Sequence, residues 1–360
     1  MLTVLIFIII LIILVLVHEF GHFFAAKMNG IFVEEFGFGF PPRLFGKRIG
    51  ETLYSVNLIP LGGFVKLYGE EYHEEEDNSK GKSKIPPHRS FINKTPFQKT
   101  IVLIAGVVMN FLLAWVLISF LFLSGVPKPS GVMISEILPN SPAETAGLMK
   151  SDSILFIGNG EESKKVVITA DVIETTNKYA GKQMKIIVQR KNKTLNFALI
   201  PRENPPKGEG SLGVVIQQSV KTIRYPWYQV PYYGFIETAS TAKTIAVEIL
   251  KIPGKLMTKN HAPVEFAGPI GIAKIVGEAR KFGLNALIEL TAVISLNLAV
   301  INILPLPALD GGRLVFIFYE WISGKRPNEK LEQYLNLFGI ILFLGLGAAI
   351  TIFEINKYFL

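Results

Sequence analysis

From Leu2 to Val17 the chain carries one polar residue, Thr3, and the apolar pattern resumes as Phe23-Phe24-Ala25-Ala26. A helix from residue 1 to His18 rises roughly 25 Å at about 1.5 Å per residue, enough to cross most of a bilayer core. Three further runs have the same character, at about Thr100–Ser124, Leu284–Leu304 and Leu335–Phe353. The third is the most polar, interrupted by Glu289, Ser295, Asn297 and Asn302. Polar groups inside a span face a bundle interior or a cavity. Between the spans the pattern changes. Over 31–69, stretches such as Thr52-Leu53-Tyr54-Ser55-Val56-Asn57 and Phe64-Val65-Lys66-Leu67-Tyr68 are punctuated by glycine and proline, which predicts two or three short strands. Over 126–204 an α/β module is predicted, with strands at Val132–Leu138 and Met184–Arg190 and a short capped helix at Ser141–Leu148 ending at Gly147. Residues 205–283 read as a Pro- and aromatic-rich connector leading into a helix at 234–256.

The expected fold is a polytopic α-helical membrane protein with about four transmembrane helices, a membrane-associated β-element and an inserted α/β domain. The helices are placed at 1–30, 98–125, 284–312 and 335–354, the β-element at 31–69, and charged cytoplasmic loops at 70–97 and 313–334. The apolar start is not a signal peptide by this reading. It lacks a basic leader and a small-residue cleavage site before His18.

Composition agrees with a membrane protein, at 49% hydrophobic and 18% charged residues. The net charge of +8 has a topological explanation. Lysine and arginine crowd the first and third loops, at Arg43, Lys47, Arg48, Lys80, Lys82 and Lys84 and at Arg313, Lys325, Arg326 and Lys330. The positive-inside rule then puts those loops in the cytoplasm and both termini and 125–283 outside. No nucleic-acid motif is present, so no nucleic-acid partner is expected; the expected surroundings are a lipid bilayer. The chain has no cysteine, which excludes disulfides, thiol catalysis and Cys-ligated zinc.

Against this background His18-Glu19-Phe20-Gly21-His22 stands out. Histidines four apart share one helix face and can share a zinc ion, with the intervening Glu as general base. Here the motif lies inside an apolar span, where ionisable groups are costly and mark function. Catalytic zinc needs a third protein ligand and an open position. Distant candidates are Asp310, Glu289, His73, His88 and His261. Asp310 is the best of them, because Pro305 and Pro307 break the span before it and Gly311-Gly312 follow it. Non-helical backbone at membrane depth is tolerated where it lines a cavity.

These motifs resemble the site-2 protease family of intramembrane zinc metalloproteases, in the branch of the bacterial regulator of sigma-E protease. The matching stretches are His18–His22, Asn302–Gly312, Gly106-Val107-Val108-Met109-Asn110, Gly37-Phe38-Gly39, Pro60-Leu61-Gly62-Gly63 and Gly268-Pro269-Ile270-Gly271, in the branch's order. The resemblance implies that His18, His22 and Asp310 bind Zn2+ and that Glu19 is the catalytic base. It implies substrate positioning by Asn302, with Pro307, Gly62 and Gly63 also assigned to substrate binding, and close packing at the site by Gly106 and Asn110. It implies transmembrane substrates pre-trimmed by another protease, of the anti-sigma-factor or signal-peptide-remnant type. The 126–204 module resembles a single PDZ domain through Ser141-Pro142-Ala143 and Ala146-Gly147-Leu148, departing from it at Ser151-Asp152.

Three readings follow. The first is an intramembrane zinc endopeptidase. The second is a membrane-anchored enzyme with a cytosolic zinc domain, for which no ligand helix is visible. The third is a non-enzymatic scaffold displaying the PDZ-like module. For the first, Thr52–Asn57 or Phe64–Tyr68 is expected to offer a strand edge to an unwound substrate, and the module is expected to limit substrate size.

Overall fold

The computed structural model describes residues 2–70, 85–160, 162–206, 208–257 and 267–359. In chain order these form α1 (Leu2–Met28), β1 (Val33–Ile49), β2 (Thr52–Leu67), a 3-10 turn (Pro87–Arg89), α2 (Pro96–Ser124), β3 (Val126–Ile137), α3 (Pro142–Thr145), β4 (Ser153–Gly158) and β5 (Ser163–Lys165). There follow α4 (Thr169–Lys178), β6 (Met184–Arg190), β7 (Lys193–Leu199), β8 (Val214–Ile223), α5 (Val230–Met257), α6 (Pro269–Lys281), α7 (Leu284–Ile303), α8 (Asp310–Ser323) and α9 (Glu329–Phe359). Two compact units result, one from 1–123 with 226–360 and the other from 124–225.

In the first unit four helices are long and apolar enough to cross a membrane: α1, α2, α7 and Lys330–Tyr358 within α9. α1 is held on two sides. Ile10 and Leu14 pack with Val276 of α6 and with Leu287, Leu290, Ile294 and Leu298 of α7. Lower down, Ala25 and Ala26 pack with Ile31, Val33, Leu67, Phe91 and Val102. The β-element is one hairpin of two long, bent strands rather than two or three short ones. Residues 33–38 pair on one side with 63–67 and on the other with 53–56, and 43–49 pair with 52–57. Four segments therefore lie side by side in the order 43–49, 52–57, 33–38, 63–67. Phe40, Leu44, Phe45, Ile49, Leu58 and Ile59 are exposed on this sheet, as suits an apolar surrounding. The hairpin tip is tied back at Glu51, which accepts from Arg89 at 2.7 Å and Lys27 at 2.6 Å. These two cations hold the Glu51 carboxyl down at a pKa of about 2.

Two expectations for this unit need correction. Residues 313–334 are not a loop, because α8 runs to Ser323 and closes at Gly324 in the left-handed region (φ 66). Leu314 and Ile317, spaced as one helix face, are buried against Leu103, and Glu320 pairs with buried Lys99 at 2.9 Å. The 205–283 connector holds a second helix, α6, opened by Gly268-Pro269. A buried carboxylate from α9 caps it: Glu354 accepts backbone N–H groups from Gly268 (2.7 Å), Gly271 (3.0 Å) and Ile270 (3.2 Å).

The second unit is a sheet ordered β7-β6-β4-β3-β8, with β5 also on β4. Val132, Ile134, Ile154, Ile157, Met184, Ile186 and Val188 are buried and form its core with Val172 of α4. The sheet extends beyond the expected limit of 204, since β8 pairs along the whole of β3, from Val126 opposite Ile223 to Ile137 opposite Val214. Ser151 adopts φ 72, the left-handed region that glycine takes without strain. Asp152 behind it is fully buried against Arg190 at 2.7 Å.

Candidate metal centre

The HExxH segment falls in the second half of α1, and its two histidines project from one face, four residues apart. Asp310 comes from far along the chain. α7 ends at Ile303, and residues 304–309 run as non-helical backbone, with Ala308 at φ 68. α8 then begins at Asp310 itself, so the carboxylate sits in the first turn, where the helix dipole favours an anion. Gly311 makes this possible, since any Cβ there would collide with the carbonyl oxygens of Ile303 and Leu304.

Asp310 Oδ2 lies 3.2 Å from His18 Nε2 and 3.4 Å from His22 Nε2, and the two Nε2 atoms are 3.2 Å apart. Among the described residues, His18, His22 and Asp310 are the group of three whose ligand atoms converge, all within 4.8 Å. His22 Nδ1 donates to the Val102 carbonyl at 2.8 Å, which leaves its Nε2 a bare acceptor. His18 Nδ1 is 3.3 Å from the Asn110 amide. The two ends of an amide have the same shape, and the hydrogen bond decides between them. With Oδ1 toward the ring, His18 Nδ1 donates to it and His18 Nε2 is bare as well.

Two bare nitrogens and a buried carboxylate oxygen then face one another with no proton between them. That arrangement is repulsive unless a cation shares it. Two imidazoles and a carboxylate, with a fourth direction open, match the donor set of catalytic zinc. The open direction is a cavity of about 920 Å³ lined by His18, Glu19, His22, Gly63, Pro307 and Asp310 among others.

The other expected residues divide as follows. A Cβ on Gly106 would collide with His22 Nε2 and lie 2.7 Å from His18 Cε1, so the imidazoles fit only against a glycine. Asn302 Nδ2 is 3.4 Å from His18 Nε2. Gly63 sits where a Cβ would be 3.0 Å from Glu19 Cγ, so backbone of the β-element passes directly over the Glu19 turn. Gly62 (φ 86) packs against the Phe40 ring instead. Of the rejected ligand candidates, Glu289 is exposed, about 20 Å along α7 from Asn302. His88 is exposed in the 3-10 turn. His73 and His261 lie outside the described residues, as do positions 71–84 of the expected charged loop 70–97.

Sequence reasoning missed Arg313 and Glu70, an ion pair on the cavity wall. The spacing of Arg313, one turn after Asp310, is the signal that could have found it.

Known proteins are similar to this chain over nearly its whole length. The zinc metalloprotease RasP of Bacillus licheniformis is 30% identical, over 99% of this chain and 100% of that one. The regulator of sigma-W protease RasP of Bacillus subtilis is 28% identical over 99% of each. The zinc metalloprotease RasP of Geobacillus kaustophilus is 29% identical over 96% of each. The model of peptidase family M50 matches residues 6–346, a stretch that begins before the paired histidines and ends beyond Asp310, and the chain belongs to that family.

Proposed function

We propose that this protein is an intramembrane zinc endopeptidase that cuts transmembrane segments of other membrane proteins. The observation that carries the reading is the convergence of His18, His22 and Asp310 inside an apolar helix bundle, beside Glu19 and an open cavity. In the proposed site His18, His22 and Asp310 hold the metal. Bound there, zinc supplies a Lewis acid for the scissile carbonyl and lowers the pKa of a bound water. Glu19 takes the proton of the attacking water on its carboxylate and delivers it to the departing amide nitrogen. Asn302 directs its side-chain N–H toward the same space and would hold a substrate carbonyl.

A transmembrane helix hides its peptide bonds in internal hydrogen bonds, so a substrate must be unwound and held extended. Of the two edges expected, 52–57 is paired on both sides and is not available. Residues 63–67 pair only with 33–38 among the described residues, and Gly63 to Leu67 line the cavity. An extended substrate adding itself to this edge would bring its backbone past Glu19. By the charge of its loops the site lies nearer the cytoplasmic face, with both termini and the 124–225 unit outside. The name of the Bacillus subtilis relative, regulator of sigma-W protease, favours a membrane-bound anti-sigma factor as substrate class, trimmed beforehand by another protease.

The test is cleavage of a model transmembrane substrate in proteoliposomes by wild type and Glu19→Gln. The variant should keep its zinc and lose about 10²–10⁴-fold in turnover, the usual worth of a general base. Turnover near wild type would remove Glu19 from the chemistry.

A further inference from the structure

We propose that Arg313 is a positioning residue for cleavage: through its ion pair with Glu70 it fixes the edge strand relative to the Asp310 helix, and so selects which substrate bond is cut. The proposal rests on the reading of 63–67 as the substrate edge.

Arg313 lies three residues beyond Asp310 on α8, on nearly the same face, and both line the cavity. Its partner Glu70 stands just past the end of β2. The Glu70 carboxylate uses both oxygens. Oε1 accepts from Arg313 Nη1, and Oε2 accepts from the backbone N–H of Leu67 at 3.3 Å. The Glu70 N–H in turn donates to the Leu67 carbonyl at 3.2 Å. A single side chain thus joins the last amide of the edge strand to the helix that carries Asp310. The guanidinium also lies over the Phe91 ring, 5.9 Å from its centre, and Phe91 N–H donates to Tyr68 O at 2.8 Å, so the same turn is held from a second direction. The pair is partly shielded, with side chains 32% and 20% exposed. The neighbouring acid Glu320 is engaged by Lys99.

The strand has a second fixed point at its other end, where Gly63 rests on Val15 and Glu19. Between these two points the edge cannot slide. This matters because a substrate strand takes its register from the edge, and one residue of slip moves a different peptide bond, about 3.3 Å away, opposite the metal site. A misplacement of about 1 Å can cost as much as 100-fold in rate. Cutting the Glu70 tie should therefore blur the cleavage position and lower kcat more than it raises KM. A tie that only stabilised the fold would not change which bond is cut.

The experiment uses full-length enzyme in proteoliposomes with a model transmembrane substrate, reading zinc content, kcat, KM and product masses. Arg313→Ala and Glu70→Ala should each keep zinc, lower kcat by about 10- to 100-fold, leave KM within about threefold, and add products cut at adjacent bonds. The exchange Glu70→Arg with Arg313→Glu should return cleavage to the single wild-type bond. Unchanged kcat with one product in the single variants overturns the proposal, as does an exchange variant whose products stay as mixed as theirs. Should either alanine variant lose zinc or fold, Arg313→Gln and Glu70→Gln, which keep the side-chain size, decide by the same product masses. The underlying reading has its own control. The chain has no cysteine, so Val65→Cys can be crosslinked to a single cysteine in the substrate. No crosslink at any substrate position refutes the edge strand. Crosslinking with unaltered products in the Arg313 and Glu70 variants refutes the tie alone.

Discussion

At the scale of residues, the candidate site is a problem of proton placement. Each imidazole must carry its proton on Nδ1 to present a bare Nε2, and each has a partner for that purpose, Val102 O for His22 and Asn110 for His18. Removing such a partner typically costs 10- to 100-fold in metal affinity. Asn110→Ala should weaken zinc binding by about that factor in a chelator competition, with the fold intact, and Asn110→Asp should restore most of it by keeping an acceptor. Equal affinity in wild type and Asn110→Ala would show that His18 orients itself. The histidine pair was legible because its spacing is local. Asp310 was legible because prolines and glycines mark broken helix at membrane depth. The role of Asn110 was not, because nothing in a Gly-x-x-x-Asn spacing says which neighbour the amide meets; that depends on α2 crossing α1 where Gly21 allows contact with Ala105.

At the scale of elements, the four spans could be read from apolar length alone, since nothing else buries such runs. The β-element could be recognised but not traced. Its strands bend and pair twice, and periodicity carries no information about which of two similar segments lies inside. The structure reduces the two expected edges to one, and proline tests it, because proline lacks the N–H that a ladder needs. Of the adjacent positions Phe64 and Val65, one turns its N–H toward 33–38 and the other away. Proline at the outward position should cut turnover while zinc content and melting stay near wild type, and proline at the inward position should disturb the hairpin itself. Undiminished turnover with proline at both would exclude pairing at this edge. Helix α8 escaped the sequence reading for a different reason. Its apolar run Leu314–Tyr319 is short for a span, and the basic residues Arg313, Lys325, Arg326 and Lys330 around it mark the segment as a loop by charge alone.

At the scale of the whole molecule, the chain is a membrane unit interrupted by a separately folded one. The sequence showed the interruption but ended it too early, because β8 follows a Pro-rich stretch and pairs with the most distant strand of its own sheet. That pairing sets Val126 opposite Ile223, so the insertion leaves and returns at neighbouring points and can be excised with a short flexible linker. Excision of 126–223 should preserve zinc and cleavage of a trimmed substrate, and should admit an untrimmed substrate that the intact enzyme refuses. Loss of trimmed-substrate cleavage with zinc retained would make the insertion a recognition element instead of a size filter.

In the proposed site three side chains from opposite ends of the sequence hold one catalytic zinc within the membrane unit. This arrangement is tested most directly by metal content and substrate cleavage measured on the same purified samples of wild type, Asp310→Asn and His88→Ala. About one zinc per chain and full cleavage are expected for wild type and His88→Ala, with zinc and cleavage lost together in Asp310→Asn. Full zinc occupancy and activity in Asp310→Asn would contradict it.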